Sequence, residues 1–265
     1  MSEQPIAEVS NLVVKYGDHT VLSDVNAAFA PSQIQVILGT SGCGKTTLLK
    51  TMIGLLKPAS GTVRLFGREL DDIDSEGTVE LLRRVGVLFQ NGALLGSLTT
   101  GENIALPLEM HTNLPSAVID EMVAHRLAEV GLPDAAGLYP SELSGGMRKR
   151  AALARSLALE PPLVFCDEPS AGLDPVTSAG LDELLLSLRE SLGITLVVVT
   201  HELASIERIA DNIVFLHRGS LLFHGPLDEA KQLESGAVRD FFARKERGDR
   251  QTQESTTDFV VENVL

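Results

Sequence analysis

Short apolar runs alternate along the chain with longer stretches whose apolar positions recur every three or four residues. This is the pattern of strands alternating with helices in an α/β protein. Residues 34–38 form a short apolar run ending in a glycine-rich turn, and a helical pattern follows over 45–55. Residues 85–89, 163–166, 194–199 and 213–216 are further runs rich in Val, Ile and Leu. Unbroken runs of this kind suit parallel strands covered on both faces. The stretches 6–14, 21–29 and 62–66 alternate instead, which predicts an antiparallel sheet beside the parallel core. Between 92 and 159 strand signals vanish. A helix over 116–130 is bounded by Pro115 and by Gly131-Leu132-Pro133, so a helical lobe inserted at about 92–159 is expected.

Charge narrows the class of partner. A net charge of −14 argues against a general nucleic-acid binder, which needs a basic face for phosphates, and against electrostatic docking on anionic lipid. No apolar run approaches the roughly 18 residues of a membrane-spanning helix. The first ten residues carry Glu3 and Glu8 and lack the apolar core of a secretory signal. The expectation is a cytoplasmic chain that meets a membrane only through a partner. Glu102, Glu109, Asp120, Glu121, Glu129, Asp134 and Glu142 face Arg126 alone, and the dense basic cluster Arg148, Lys149, Arg150 and Arg155 follows at once. The plain reading of both is solvated helix faces. Beyond residue 247 a polar tail ends in Phe259, Val260, Val261, Val264 and Leu265. It reads as a solvated tail, or as a docking peptide for a neighbouring subunit. Cys43 and Cys166 are too few for a metal framework and would stay reduced. Each reads as small-residue filler, with Cys43 open to alkylation.

The strongest chemical signal is Gly39-Thr40-Ser41-Gly42-Cys43-Gly44-Lys45-Thr46, a complete P-loop. Its glycines let main-chain N–H groups close around phosphates, and the helix that follows adds partial positive charge. Lys45 supplies a full charge to the β- and γ-phosphates, Thr46 offers a hydroxyl to Mg²⁺, and Thr47 can reach the α-phosphate. Leu163-Val164-Phe165-Cys166-Asp167-Glu168 is an apolar strand ending in two acids. Asp167 suits Mg²⁺, and Glu168 is the candidate base that orients the attacking water.

Leu143-Ser144-Gly145-Gly146-Met147, ahead of the basic helix, departs from a generic P-loop protein. With Asp167-Glu168 and His201 after it, the sequence resembles the ATP-binding cassette (ABC) family. The resemblance spans residues 6 to 245 and implies a P-loop NTPase with a RecA-like parallel core, an antiparallel β subdomain and an inserted helical subdomain. It divides the chain into an ATPase domain over 1–245 and a tail over 246–265. It further implies that Ser144, Gly145 and Gly146 bind the γ-phosphate of ATP held by a second copy of the chain. Tyr16 would stack on adenine, Gln90 would sense Mg²⁺ and the attacking water, and His201 would contact the γ-phosphate. Ser170-Ala171-Gly172-Leu173-Asp174 matches the loop facing the opposing subunit, with Asp174 counted among the ATP-site residues.

Within the family, residues 145–155, 88–95 and 167–177 look like the ATPases of MCE-type phospholipid transporters. That implies an integral membrane permease with MCE-domain and accessory subunits, at the cytoplasmic face of the inner membrane. A groove near Gln90 and Ala93-Leu94-Leu95 would grip a coupling helix of the permease. An ABC ATPase for another cargo (an amino acid, a metal or a lipoprotein) stays open as an alternative. A soluble ABC protein is disfavoured by the absence of long coiled coils and zinc cysteines. A P-loop kinase would not need Leu143-Ser144-Gly145-Gly146-Met147.

Overall fold

The computed structural model describes residues 4–70 and 76–243. The tail with Phe259, Val260, Val261, Val264 and Leu265 lies outside the described residues. The chain opens with β1 (Ala7–Tyr16) and β2 (His19–Phe29), then β3 (Ile34–Gly39) and α1 (Lys45–Met52). β4 (Ser60–Leu65), β5 (Arg68–Glu69), α2 (Glu76–Leu82) and β6 (Val85–Leu88) follow. Next come α3 (Thr100–His111), α4 (Ser116–Glu129), a 3₁₀ turn at Pro140–Glu142 and α5 (Gly145–Ser156), with no strand before β7 (Leu163–Asp167). Then come α6 (Pro175–Leu192), β8 (Thr195–Val199), α7 (Leu203–Ile209), β9 (Asn212–His217), β10 (Ser220–Pro226) and α8 (Leu227–Lys231), and residues 237–243 are helical.

Both expected sheets form. The antiparallel one runs β2-β1-β4-β5 and the larger one β10-β9-β3-β8-β7-β6. In the larger sheet β9, β3, β8, β7 and β6 are parallel, while β10 turns back antiparallel on β9. β10 escapes the sequence pattern because it is an edge strand without a fully buried residue. α1 stops at Met52 rather than running on to residue 55, because Ile53 leaves the helix and Gly54 enters the left-handed region at φ 76°. α3 begins on a reciprocal cap: Thr99 Oγ1 accepts from Glu102 N–H while Glu102 accepts from Thr99 N–H at 2.7 Å.

Successive residues of the parallel strands point to opposite faces, and both faces are dry. Ile34, Val36, Val164, Cys166, Leu196 and Val198 join a core with α3 to α7. Ile37, Leu163, Phe165, Val197 and Val199 join another with α1 and the antiparallel sheet. Burial of each such side chain contributes roughly 1.5–3 kcal/mol, and the alternation fixes strand register, since a one-residue slip would exchange the two faces.

α5 lies directly against β6, because Gly86 leaves room for it. A Cβ at Gly86 would stand 2.4 Å from Ser156 O, the last carbonyl of α5. Gly86→Ala should therefore destabilise the protein by about 1–3 kcal/mol through overpacking. It should lower the urea midpoint at unchanged slope, as read by far-UV circular dichroism.

Candidate functional site

β3, β8, β7 and β6 are neighbours in that order, and their carboxyl ends carry the P-loop, His201, Asp167-Glu168 and Gln90. Residues distant in the sequence thus converge at one sheet edge, where ligands of open parallel sheets bind. A cleft of about 450 Å³ at this edge is lined by Ser41, Gly42, Gly44, Lys45, Thr46, Thr47, Gln90, Glu168 and His201, with Val21 from β2.

The loop between β3 and α1 is closely determined. Gly39 sits at φ 148°, and a Cβ there would meet Leu216 O at 2.0 Å. Gly42, at φ 75°, has nothing within 4 Å of an added Cβ, so its side of the loop is open to a ligand. Lys45 Nζ donates to the carbonyls of Gly39 and Thr40 at 3.1 and 3.3 Å, which centres its charge over the loop. Thr46 Oγ1 lies 3.4 Å from Asp167 Oδ1. Burial, then the neighbouring Glu168, raises the Asp167 carboxyl above its ordinary range. Among the described residues no group of three or more His, Cys, Asp or Glu could hold a metal ion by itself. One hydroxyl and one carboxylate beside a phosphate cradle suit Mg²⁺, which keeps waters and takes substrate phosphates as ligands.

Glu168 follows β7 with φ 47°, a left-handed conformation that costs a non-glycine residue roughly 1–2 kcal/mol. Its N–H donates to Val199 O at 2.8 Å. Its Oε1 lies 2.8 Å from His201 Nδ1, while its buried Oε2 has no hydrogen-bond partner. A carboxylate oriented at one oxygen and unused at the other can accept a proton from a bound water. Tyr16 ends β1, is 51% exposed and does not line the cleft.

Ser144, Gly145, Gly146 and Asp174 do not line the cleft either. They form a second group. Ser144 caps α5, its Oγ accepting from Met147 N–H at 3.2 Å. A Cβ at Gly146 would stand 2.6 Å from Thr177 Cγ2 on α6, and one at Gly145 would stand 3.6 Å from Leu173 Cδ2. Asp174 Oδ1 accepts from Val176 N–H and Thr177 N–H at 3.1 and 3.0 Å, and Oδ2 accepts from Thr177 Oγ1. These bonds, the hydroxyl's first, hold its carboxyl below the usual range. Asp174 is therefore engaged as the cap of α6, rather than as a free ligand of the cleft.

The basic cluster departs from the solvated face expected of it. Arg148 is exposed, but Lys149 is only 7% exposed, and Arg150 and Arg155 are half-buried. Arg150 donates to Val130 O and Gly180 O at 3.0 and 3.2 Å, tying α4 and α6 to α5. Arg155 donates to Gly92 O and Ala93 O at 2.9 and 2.7 Å. Lys149 donates to Gln90 O and Glu168 O. Burial lowers the Lys149 pKa from its ordinary value. Asp182 on α6 carries no signal in the sequence pattern. Its side chain is 1% exposed and accepts from Ser205 Oγ at 2.5 Å and from Arg208 Nη1 at 2.6 Å, both on α7. Burial pushes its carboxyl above the usual range.

An apolar groove of about 370 Å³ opens between α2, β6 and α3, lined by Val79, Leu82, Val87, Pro107 and Leu159 with Arg155. It stands beside the Gln90 loop, but Ala93, Leu94 and Leu95 do not line it. Arg155 holds the loop's main chain instead.

Cys43 is 3% exposed, and burial pushes its thiol up despite the nearby Lys45 charge. Burial takes Cys166 to about 12. Thiolate is the reactive form. Native protein at pH 7 should therefore react with N-ethylmaleimide far more slowly than urea-unfolded chain. The rate should rise only above the ordinary thiol range, as followed by intact-mass spectrometry.

Comparison with known proteins agrees with this architecture. The family profile described as ABC transporter matches residues 22–171. The chain is 37% identical over 259 residues to the intermembrane phospholipid transport system ATP-binding protein MlaF of Haemophilus influenzae, covering 98% of each. It is 38% identical over 234 residues to the probable ribonucleotide transport ATP-binding protein mkl of Mycobacterium tuberculosis, covering 88% of this chain and 65% of that one. It is 38% identical over 223 residues to the methionine import ATP-binding protein MetN of Brucella abortus, covering 84% of this chain and 60% of that one. Among solved structures, the dimeric post-hydrolysis ATP-binding cassette MJ0796 with ADP and Pi aligns with TM-score 0.76 and 30% identity, over 83% of this chain and 98% of that one. With its P-loop, paired acids and sheet order, and with a family match over more than half its length, the chain belongs to the ABC transporter family as one of its ATPase cassettes.

Proposed function

We propose that this chain binds Mg-ATP at its P-loop, pairs face to face with a second copy, and hydrolyses ATP to power phospholipid transport through an integral membrane permease. The observation that carries the reading is the separation of the candidate residues into two groups. The cleft gathers a phosphate cradle, a base and a histidine, while Ser144, Gly145 and Gly146 at the N-terminus of α5 lie outside it. A helix N-terminus with a hydroxyl and bare main-chain amides suits a phosphate that comes from another protomer. Each protomer then holds half of two sites.

In the cleft, the main-chain N–H groups of residues 39–46 and Lys45 would hold the phosphates. Thr46 and Asp167 would hold Mg²⁺, with Gln90 beside it, and the bound ion neutralises phosphate charge. Glu168 accepts the proton of the attacking water at its unpartnered oxygen, and His201 keeps that carboxylate aimed through its other oxygen. Tyr16, exposed at the end of β1, stacks on adenine.

The phospholipid cargo is supported by the MlaF relative, which matches end to end, whereas the methionine-import relative extends well beyond the match. The likeness to MetN favours a second reading, an amino-acid importer. The apolar groove beside the Gln90 loop would receive the permease. No helix among the described residues is long and apolar enough to cross a membrane, so on this reading the chain acts at the cytoplasmic face through that partner. MCE-domain and accessory subunits complete the complex.

Glu168→Gln should leave ATP binding intact, lower turnover by about two orders of magnitude or more, and trap an ATP-dependent dimer on size exclusion; near-normal turnover would remove Glu168 as the base. Lys45→Ala should instead weaken binding of a fluorescent ATP analogue roughly tenfold or more. Purification of the complex from membranes, with identification of the subunits and lipid that accompany it, tests the cargo. Recovery without any integral membrane protein refutes transport, and an amino-acid-binding partner selects the second reading.

A further inference from the structure

Lys149 stands five residues beyond Ser144 on α5, about 7.5 Å along the axis at 1.5 Å per residue. Its ammonium donates to two carbonyls that belong to residues of the cleft, Gln90 O and, at 3.2 Å, Glu168 O. At 7% exposure it has little water to exchange with, and charge-assisted bonds in such surroundings are strong and directional. Glu168 depends on outside help for its left-handed conformation. Its carbonyl is held by Lys149 and by Ala171 N–H, each at 3.2 Å.

Gln90 is bounded in a similar way. Downstream of it Gly92 and Ala93 are both left-handed, at φ 73° and 51°, and their carbonyls end on Arg155 of the same helix. Ser144 caps the same continuous helix that carries Lys149, and Ala151, Ala152, Leu153 and Ala154 bury that helix in the core. A displacement of its N-terminal end therefore displaces Lys149 Nζ with it.

We propose that Lys149 is a positioning residue that couples the two nucleotide sites of a dimer. On the reading given above, on which this inference rests, one protomer's Ser144-Gly145-Gly146 closes over ATP held by its partner. Lys149 then carries that engagement along α5 to the Gln90 and Glu168 carbonyls of its own protomer. Occupancy of one site thereby sets the water-activating geometry of the other. Lys149 touches no substrate and acts through the main chain of two residues that do.

The test is steady-state ATP hydrolysis by the full chain in the complex it forms in membranes, measured as a function of ATP concentration. The wild type should be cooperative, with a Hill coefficient above unity and bounded by the two sites. Lys149→Met should lower kcat roughly tenfold to a hundredfold, the loss expected for charge-assisted bonds to the base's main chain. It should leave half-saturating ATP within about twofold, because the P-loop is untouched, and bring the Hill coefficient to unity. Lys149→Arg, which keeps charge and donors, should recover most of kcat and the cooperativity. Wild-type kcat and cooperativity in Lys149→Met overturn the proposal, as does a fall in kcat with cooperativity retained. If Lys149→Met does not fold, Lys149→Gln, one atom shorter and uncharged, is judged by the same criteria. An active wild type without cooperativity refutes this inference alone. A wild type with neither hydrolysis nor an ATP-dependent Glu168→Gln dimer refutes the functional reading beneath it.

Discussion

Ile34, Val36 and Leu38 face one dry core and Ile37 the other, and the same alternation runs through β7, β8 and β9. Because neither face of these central strands meets water, none of them can slip by one residue without exchanging its two sets of side chains. The carboxyl ends of β3, β8, β7 and β6 are therefore held level, with Asp167 paired to Val199 and Leu88 to Cys166. The P-loop, the paired acids, the histidine and the glutamine inherit their mutual placement from that register. A site assembled from segments more than a hundred residues apart is thereby aligned by the sheet beneath it.

Around this frame the polar chemistry is carried largely by main-chain carbonyls. Lys45 donates to two carbonyls of its own loop, Arg155 to two of the Gln90 loop, and Arg150 to one on each of two helices. These cations therefore need no acidic partner, and the protein keeps its strongly negative net charge without leaving them stranded. Glu168 receives the same support, and it holds a backbone conformation that its side chain alone would not choose.

The features legible in the sequence are those whose chemistry is local. The P-loop, the acid pair at the end of β7 and the strand runs 163–166 and 194–199 each declare themselves within a few residues. The fate of the basic cluster was not legible, because Lys149 and Arg155 find partners about sixty residues upstream in the Gln90 loop. Nothing in their own helix distinguishes a solvated cation from one that ends on a distant carbonyl. α6 went unmarked for a related reason, since its inward face carries Ser178 and Asp182 beside Leu181, Leu185 and Leu188 and blurs the apolar period. Asp174, read as a nucleotide-site residue, is engaged at the start of that same helix as its cap.

The buried carboxylate of Asp182 welds α6 to α7. α6 begins directly after the loop 170–174, and α7 begins two residues after His201. The weld makes these two ends a single inheritable unit. A chimera that exchanges the loop through α6 but keeps the recipient's α7 would break a matched pair, so the natural boundary for grafting runs after Ile209, with both helices carried together.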